Sequence, residues 1–127
     1  MANTRQYAGP KLACEITPER VIAARATDDG TALDSYSARA LGTGVVVPRL
    51  AEDNIANADQ LKQAISDVLT TVGARSHDLV AIVPDASVRI ALLDFDTLPE
   101  KRQDADGVIR FRLKKALPFA GRAFFIA

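Results

Sequence analysis

Short apolar runs separated by turn residues open the chain, and helical spacing enters only after residue 44. Residues 12–16 (LACEI) are apolar apart from Glu15 and predict a strand. Thr17-Pro18-Glu19 reads as a turn, and residues 20–26 (RVIAARA) resume as a second strand. Thr27-Asp28-Asp29-Gly30 has the Asp-Gly chemistry of a hairpin. Residues 33–41 (LDSYSARAL) alternate weakly, as a third strand with one wetter face would. Three strands joined by short turns predict an antiparallel meander. Gly42-Thr43-Gly44 is a natural joint, and Val45 to Val47 is a short strand candidate ended by Pro48.

Beyond a polar loop at residues 51–56, Asn57 is placed to cap a helix, with Gln60 three residues on as in a capping box. Leu61, Ala64, Ile65, Val68, Leu69 and Val72 form its apolar stripe, and Gly73 is the expected residue just past its end. Residues 79–83 (LVAIV) are continuously apolar, which predicts a strand covered on both faces. A turn at Pro84-Asp85 leads to a second strand over residues 88–95. Pro99 opens a second helix, because its missing N–H is not needed there. Ala105, Val108, Ile109, Leu113, Ala116 and Leu117 share one face of that helix, and Pro118 ends it. The order β-β-β, then β-α-β-β-α, predicts an α/β (α+β) fold: a small mixed sheet backed by two helices and attached to a meander.

Composition narrows the class. At 127 residues and 48% apolar, the chain has enough material for one domain or a tight pair of small subdomains. Sixteen basic residues balance sixteen acidic ones, so no global charge argues for a nucleic-acid partner. Aromatics are 6% with no Trp, which argues against a stacking platform for single strands. A single cysteine, Cys14, excludes an internal disulfide framework and suits a reducing compartment. The first residues, MANTRQYAGPKL, have no apolar run of signal-peptide length, and no stretch reaches the roughly 20 apolar residues of a membrane helix. A cytoplasmic protein with no transmembrane segment is expected.

No catalytic constellation stands out, and no catalytic, cofactor-binding or metal residue is assigned. His77, the only histidine, sits in a polar loop without a second ligand at metal spacing. Cys14 lies in an apolar strand, where a buried inert thiol is the simplest reading. The pairs Asp28, Asp29 and Asp104, Asp106 have no partner that would make them acid–base catalysts. Glu15 is of more interest, since a carboxylate at the end of a first strand is where a phosphate-binding hairpin would follow. Such a loop needs free N–H groups, glycines and small hydroxyl residues. Thr17 supplies one hydroxyl, but Pro18 supplies no N–H and Glu19 sets a negative charge beside any phosphate. The final helix carries Arg110, Arg112, Lys114 and Lys115, with Phe111 off its apolar face. That pattern suits a solvated face, and its functional counterpart is attraction to an anionic membrane surface or an acidic partner.

The succession Gly42-Thr43-Gly44, helix 59–72, LVAIVP at 79–84, TLP at 97–99 and LPF at 117–119 resembles the N-terminal portion of the PilM family. These are actin-like proteins of type IV pilus assembly, similar to the cell-division protein FtsA in carrying an inserted subdomain. The resemblance spans about residues 11–119 and rests on order and spacing. It implies a partial actin-like (ribonuclease H-like) lobe. Residues 1–10 would be a flexible lead-in, 11–41 the start of the lobe, 42–119 the inserted subdomain, and 120–127 a truncated strand or tail. It further implies a non-catalytic scaffold, cytoplasmic and peripheral to the inner membrane, that binds the cytoplasmic tail of a PilN-like membrane protein; self-association stays open.

The alternative is a nucleotide-binding actin-like ATPase domain, with ATP and Mg held by a full-length relative. Two departures from the family pattern bear on it. Glu15 stands at the phosphate loop's Asp position and Thr17 at its Gly position. Pro18, Glu19 and Arg20 replace small hydroxyl residues, and Ile22 replaces a Lys. The chain also stops before the second lobe of PilM relatives, so a fragment or a truncated relative is expected.

Overall fold

The computed structural model describes residues 9–117. Its elements are β1 (Leu12–Ile16), β2 (Arg20–Ala26), β3 (Leu33–Ala40), α1 (Ala58–Thr71), β4 (Val80–Ile82), a 3-10 turn (Asp85–Ser87) and α2 (Arg102–Ala116). The four strands form one mixed sheet in the order β3-β2-β1-β4. β1, β2 and β3 are the predicted antiparallel meander, and β4 runs parallel to β1. The fold is thus mixed α/β, with one four-stranded sheet and two helices.

Local chemistry sets the turns. Thr17 N–H donates to the Arg20 carbonyl at 2.9 Å and closes the β1–β2 hairpin. The β2–β3 loop turns at Gly30, whose φ of +72° lies where side chains are strained. α1 starts at Asn57, whose side chain accepts from the Gln60 N–H at 3.1 Å. It ends at Gly73, with φ +68°, whose N–H donates to the Thr70 carbonyl at 3.0 Å.

The core lies on one face of the sheet. Leu12 and Cys14 of β1 and Val21 and Ala23 of β2 are buried against Leu61, Ala64 and Val68 of α1, together with Val72. Ile65 and Leu69 flank this stripe and are partly buried. Val45 and Val46 complete the core. The strand expected at Val45 to Val47 is a single bridge, Val46 to Ile55, beside a Val47 N–H to Asn54 carbonyl bond of 2.8 Å.

Three other expectations change. The run at 79–83 was expected to be covered on both faces, but only Val80–Ile82 is strand and all three residues are exposed. β4 is the outermost strand, and α1 packs on β2 and β3. Residues 88–95 form no strand. An apolar run becomes a strand only where another strand accepts its backbone hydrogen bonds, and this one has no ladder partner among the described residues. The second helix begins at Arg102, three residues after Pro99, with Lys101 at its cap. Its stripe is partly buried at Ala105, Ile109, Leu113 and Leu117, while Val108 and Ala116 are exposed. No residue of α2 is buried.

The chain divides into two compact units, Met1–Val88 and Arg89–Ala127. The first holds the sheet and α1, and the second holds α2. The subdomain expected over 42–119 spans this division.

Candidate functional site

The strand register sorts the sheet residues into two faces. Cys14 pairs with Ala23 and with Ala81, and Ala23 pairs with Ser37, on the side that α1 covers. On the other side two rows cross all four strands. One runs Val80, Ala13, Ala24, Tyr36, and the other Ile82, Glu15, Ile22, Ala38. Not one of these eight residues is buried. Val80 is 39% exposed, Ile82 46% and Tyr36 73%, so apolar surface on this face meets water. Glu15 is the only charge in the two rows, and it is half-buried among Ala13, Ile22 and Ile82.

The open rows end on an open edge. β4 pairs with β1 alone among the described residues, which leaves its outer backbone groups without a ladder partner. Proteins commonly guard such edges with charge. The opposite edge, β3, is guarded: Asp34 pairs with Arg25 at 2.5 Å and Arg39 with Asp67 at 3.4 Å. Val80, Ala81, Ile82 and Val83 carry no charge. The arrangement can accept an extended segment by backbone pairing, with alternate side chains lying on Val80 and Ile82.

The β1–β2 turn does not fit a phosphate. The Thr17 hydroxyl donates to the Arg20 carbonyl and accepts from the Arg20 N–H, both at 3.1 Å. With the Thr17 N–H also engaged and Pro18 lacking one, the Thr17 donors and the Arg20 N–H are spent within the turn. Glu19 is exposed beside it.

The remaining candidates are scattered. Cys14 is buried in the core, and burial pushes its thiol pKa up, away from the reactive thiolate. His77 is exposed and lines an open cleft of about 750 Å³ with Lys11, Arg25, Asp28, Asp34, Arg75 and Asp78. Both signs of charge line it, and Arg25 is already held by Asp34 and by the Gly73 carbonyl at 3.0 Å. The cleft includes Leu12 and Leu79, at the amino ends of the parallel strands β1 and β4. Open α/β sheets bind ligands at the carboxyl ends. Asp104 sits in the first turn of α2, with Asp106 one half-turn on, and Asp28 is in the β2–β3 loop. Among the described residues no group of three or more His, Cys, Asp or Glu could hold a metal ion. No helix of the described residues is long and apolar enough to cross a membrane.

Sequence reasoning passed over the two open rows. Their signal was present: Ala13, Ile22 and Ala24 are apolar at positions opposite the α1 face, which marks a sheet suited to cover on both sides. In comparisons with known proteins, no family model matches the chain, and no curated protein or solved structure matches it.

Proposed function

We propose that the chain is a non-catalytic adaptor of the PilM type, in type IV pilus or related secretion assembly at the cytoplasmic face of the inner membrane. Its working surface is the β4 edge with the two apolar rows behind it. Its partner is the cytoplasmic tail of a PilN-like membrane protein, added to the sheet as a strand. The observation that carries the reading is the uncharged, exposed edge at Val80–Ile82 continuing into an uncovered apolar face. Two further features support it. The meander, the Gly42–Gly44 joint, α1 and β4 with Pro84 following stand in the order behind the resemblance, while the strand that it places before Leu98-Pro99 is not formed. Cytoplasmic segments next to membrane spans are rich in Lys and Arg, and such a tail brings a cation for Glu15.

Titration calorimetry of the full chain with the tail peptide tests this. Micromolar binding is expected, weakened about tenfold by Ile82→Glu, which sets a carboxylate on the apolar row. The change also sets a carboxylate opposite Glu15, its partner in the register, so circular dichroism checks that the variant stays folded. No heat at high micromolar peptide defeats the reading.

Nucleotide binding is the second reading, and it rests on the element order alone. It predicts that Mg-ATP raises the melting temperature and that Glu15→Ala removes the rise. The adaptor reading predicts no shift, because the Thr17 turn keeps its donors to itself.

A further inference from the structure

α2 has two dissimilar sides. Ala105, Ile109 and Leu113 recur at four-residue spacing and are half-buried. Roughly opposite them on a helix of 3.6 residues per turn lie Arg110, Phe111, Lys114 and Lys115, all exposed. Phe111 is 63% exposed, and Val108, beside it on the same side, is 41% exposed. Lys115 Nζ stands 4.8 Å from the centre of the Phe111 ring, so the aromatic and a cation form one patch. Between Arg110 and Lys115 there is no acidic residue, and the acids of the helix, Asp104 and Asp106, are confined to its first half.

The helix dipole favours cations in the last turn and acids in the first, which accounts for part of this segregation. It does not account for a phenylalanine held in water among the cations. An aromatic body ringed by long basic side chains matches the boundary of a bilayer. There the ring enters the headgroup layer and the cations meet lipid phosphates. A nucleic-acid duplex would use the cations but leave Phe111 without an apolar environment.

We infer that the face formed by Arg110, Phe111, Lys114 and Lys115 docks α2 on an anionic lipid surface. The contact is direct and needs no protein partner, so it stands apart from the adaptor reading. Each Lys or Arg near such a surface contributes about fivefold in affinity. The contact is reversible and weakens with salt as the Debye length falls.

Co-sedimentation of the full chain with vesicles tests it, using phosphatidylcholine alone and phosphatidylcholine with about one-third phosphatidylglycerol. Binding to the anionic vesicles only is expected, lost when salt rises from about 0.1 M to about 1 M. Lys114→Gln with Lys115→Gln lowers affinity by about 25-fold at fivefold per cation. Phe111→Ser lowers it severalfold with all charges kept. Lys62→Gln, a charge removed from exposed α1 surface, leaves it unchanged. Circular dichroism confirms that the helices persist in each variant. The inference is overturned if the anionic vesicles do not bind, if neutral and anionic vesicles bind alike, or if the α2 variants bind as the parent does. Binding of a DNA duplex through these residues without vesicle binding overturns it as well.

Discussion

Asp29 gathers the β2–β3 loop around one carboxylate. It accepts from the Thr27 hydroxyl at 2.5 Å, the Thr31 N–H at 3.1 Å and the Thr31 hydroxyl at 2.8 Å. These bonds, the Thr27 hydroxyl foremost, favour the charged form and lower its pKa from 3.8 to about 2. The folded value lies below the unfolded one. The contribution to stability is therefore fully present above about 3.8 and is lost as pH falls through about 2. A carboxyl titration followed by NMR is expected to place Asp29 near 2, and a midpoint at 3.8 would show that the loop bonds do not form in solution. Gly73 is the other residue whose backbone decides a turn. An added Cβ there would meet Arg25 Nη1 at 3.1 Å as well as a left-handed φ of +68°. Gly73→Ala is expected to cost about 1–2 kcal/mol in chemical denaturation, and an unchanged midpoint would count against the α1 end seen here. Both turns were legible in the sequence, because Asp-Gly chemistry and a glycine after an apolar stripe act locally. Thr17 shows the converse. Its hydroxyl marked a phosphate contact only if it were unengaged, and whether the turn consumes it is a matter of hydrogen-bond geometry that sequence does not carry.

α1 was readable from end to end, and β4 and α2 were not. The difference lies in where the defining interactions come from. Asn57, the stripe at Leu61, Ala64, Val68 and Val72, and Gly73 each act within one helix, so spacing specifies them. Residues 79–83 and 88–95 look alike in composition, yet only Val80–Ile82 finds a neighbour, β1, and pairs. That outcome depends on strands more than sixty residues earlier in the chain. In α2 the apolar spacing correctly marks a helix, but spacing says nothing of what covers the stripe, and no residue of it is buried. The helix that builds the core should be the costly one to alter. Leu61→Ala, at a position 5% exposed, is expected to cost roughly 2–5 kcal/mol, and Asn57→Ala about 1 kcal/mol through loss of the cap. Urea midpoints measure both, and a Leu61→Ala midpoint equal to the parent's would remove α1 from the core.

For the molecule as a whole, the governing feature is a sheet finished on one side only. Leu12, Cys14, Val21 and Ala23 are sealed by α1, while Ala13, Ile22, Ala24, Val80 and Ile82 form an apolar face that no buried residue belongs to. One edge is guarded by Asp34 and Arg39, and the other, β4, carries no charge and has no second ladder partner among the described residues. The meander and the apolar run of β4 were legible in the sequence, but the sequence placed them in separate sheets, and that β4 joins β1 in one sheet was not legible. Nor was which face stays open, because it depends on where α1 comes to rest. Amide hydrogen exchange of the full chain, with and without the PilN-type tail peptide, tests the central claim most directly. Val80–Ile82 should exchange quickly in the free protein and become protected when the peptide pairs with β4, while β1 and β2 stay protected throughout. Peptide binding that leaves the exchange of Val80–Ile82 unchanged would contradict the account.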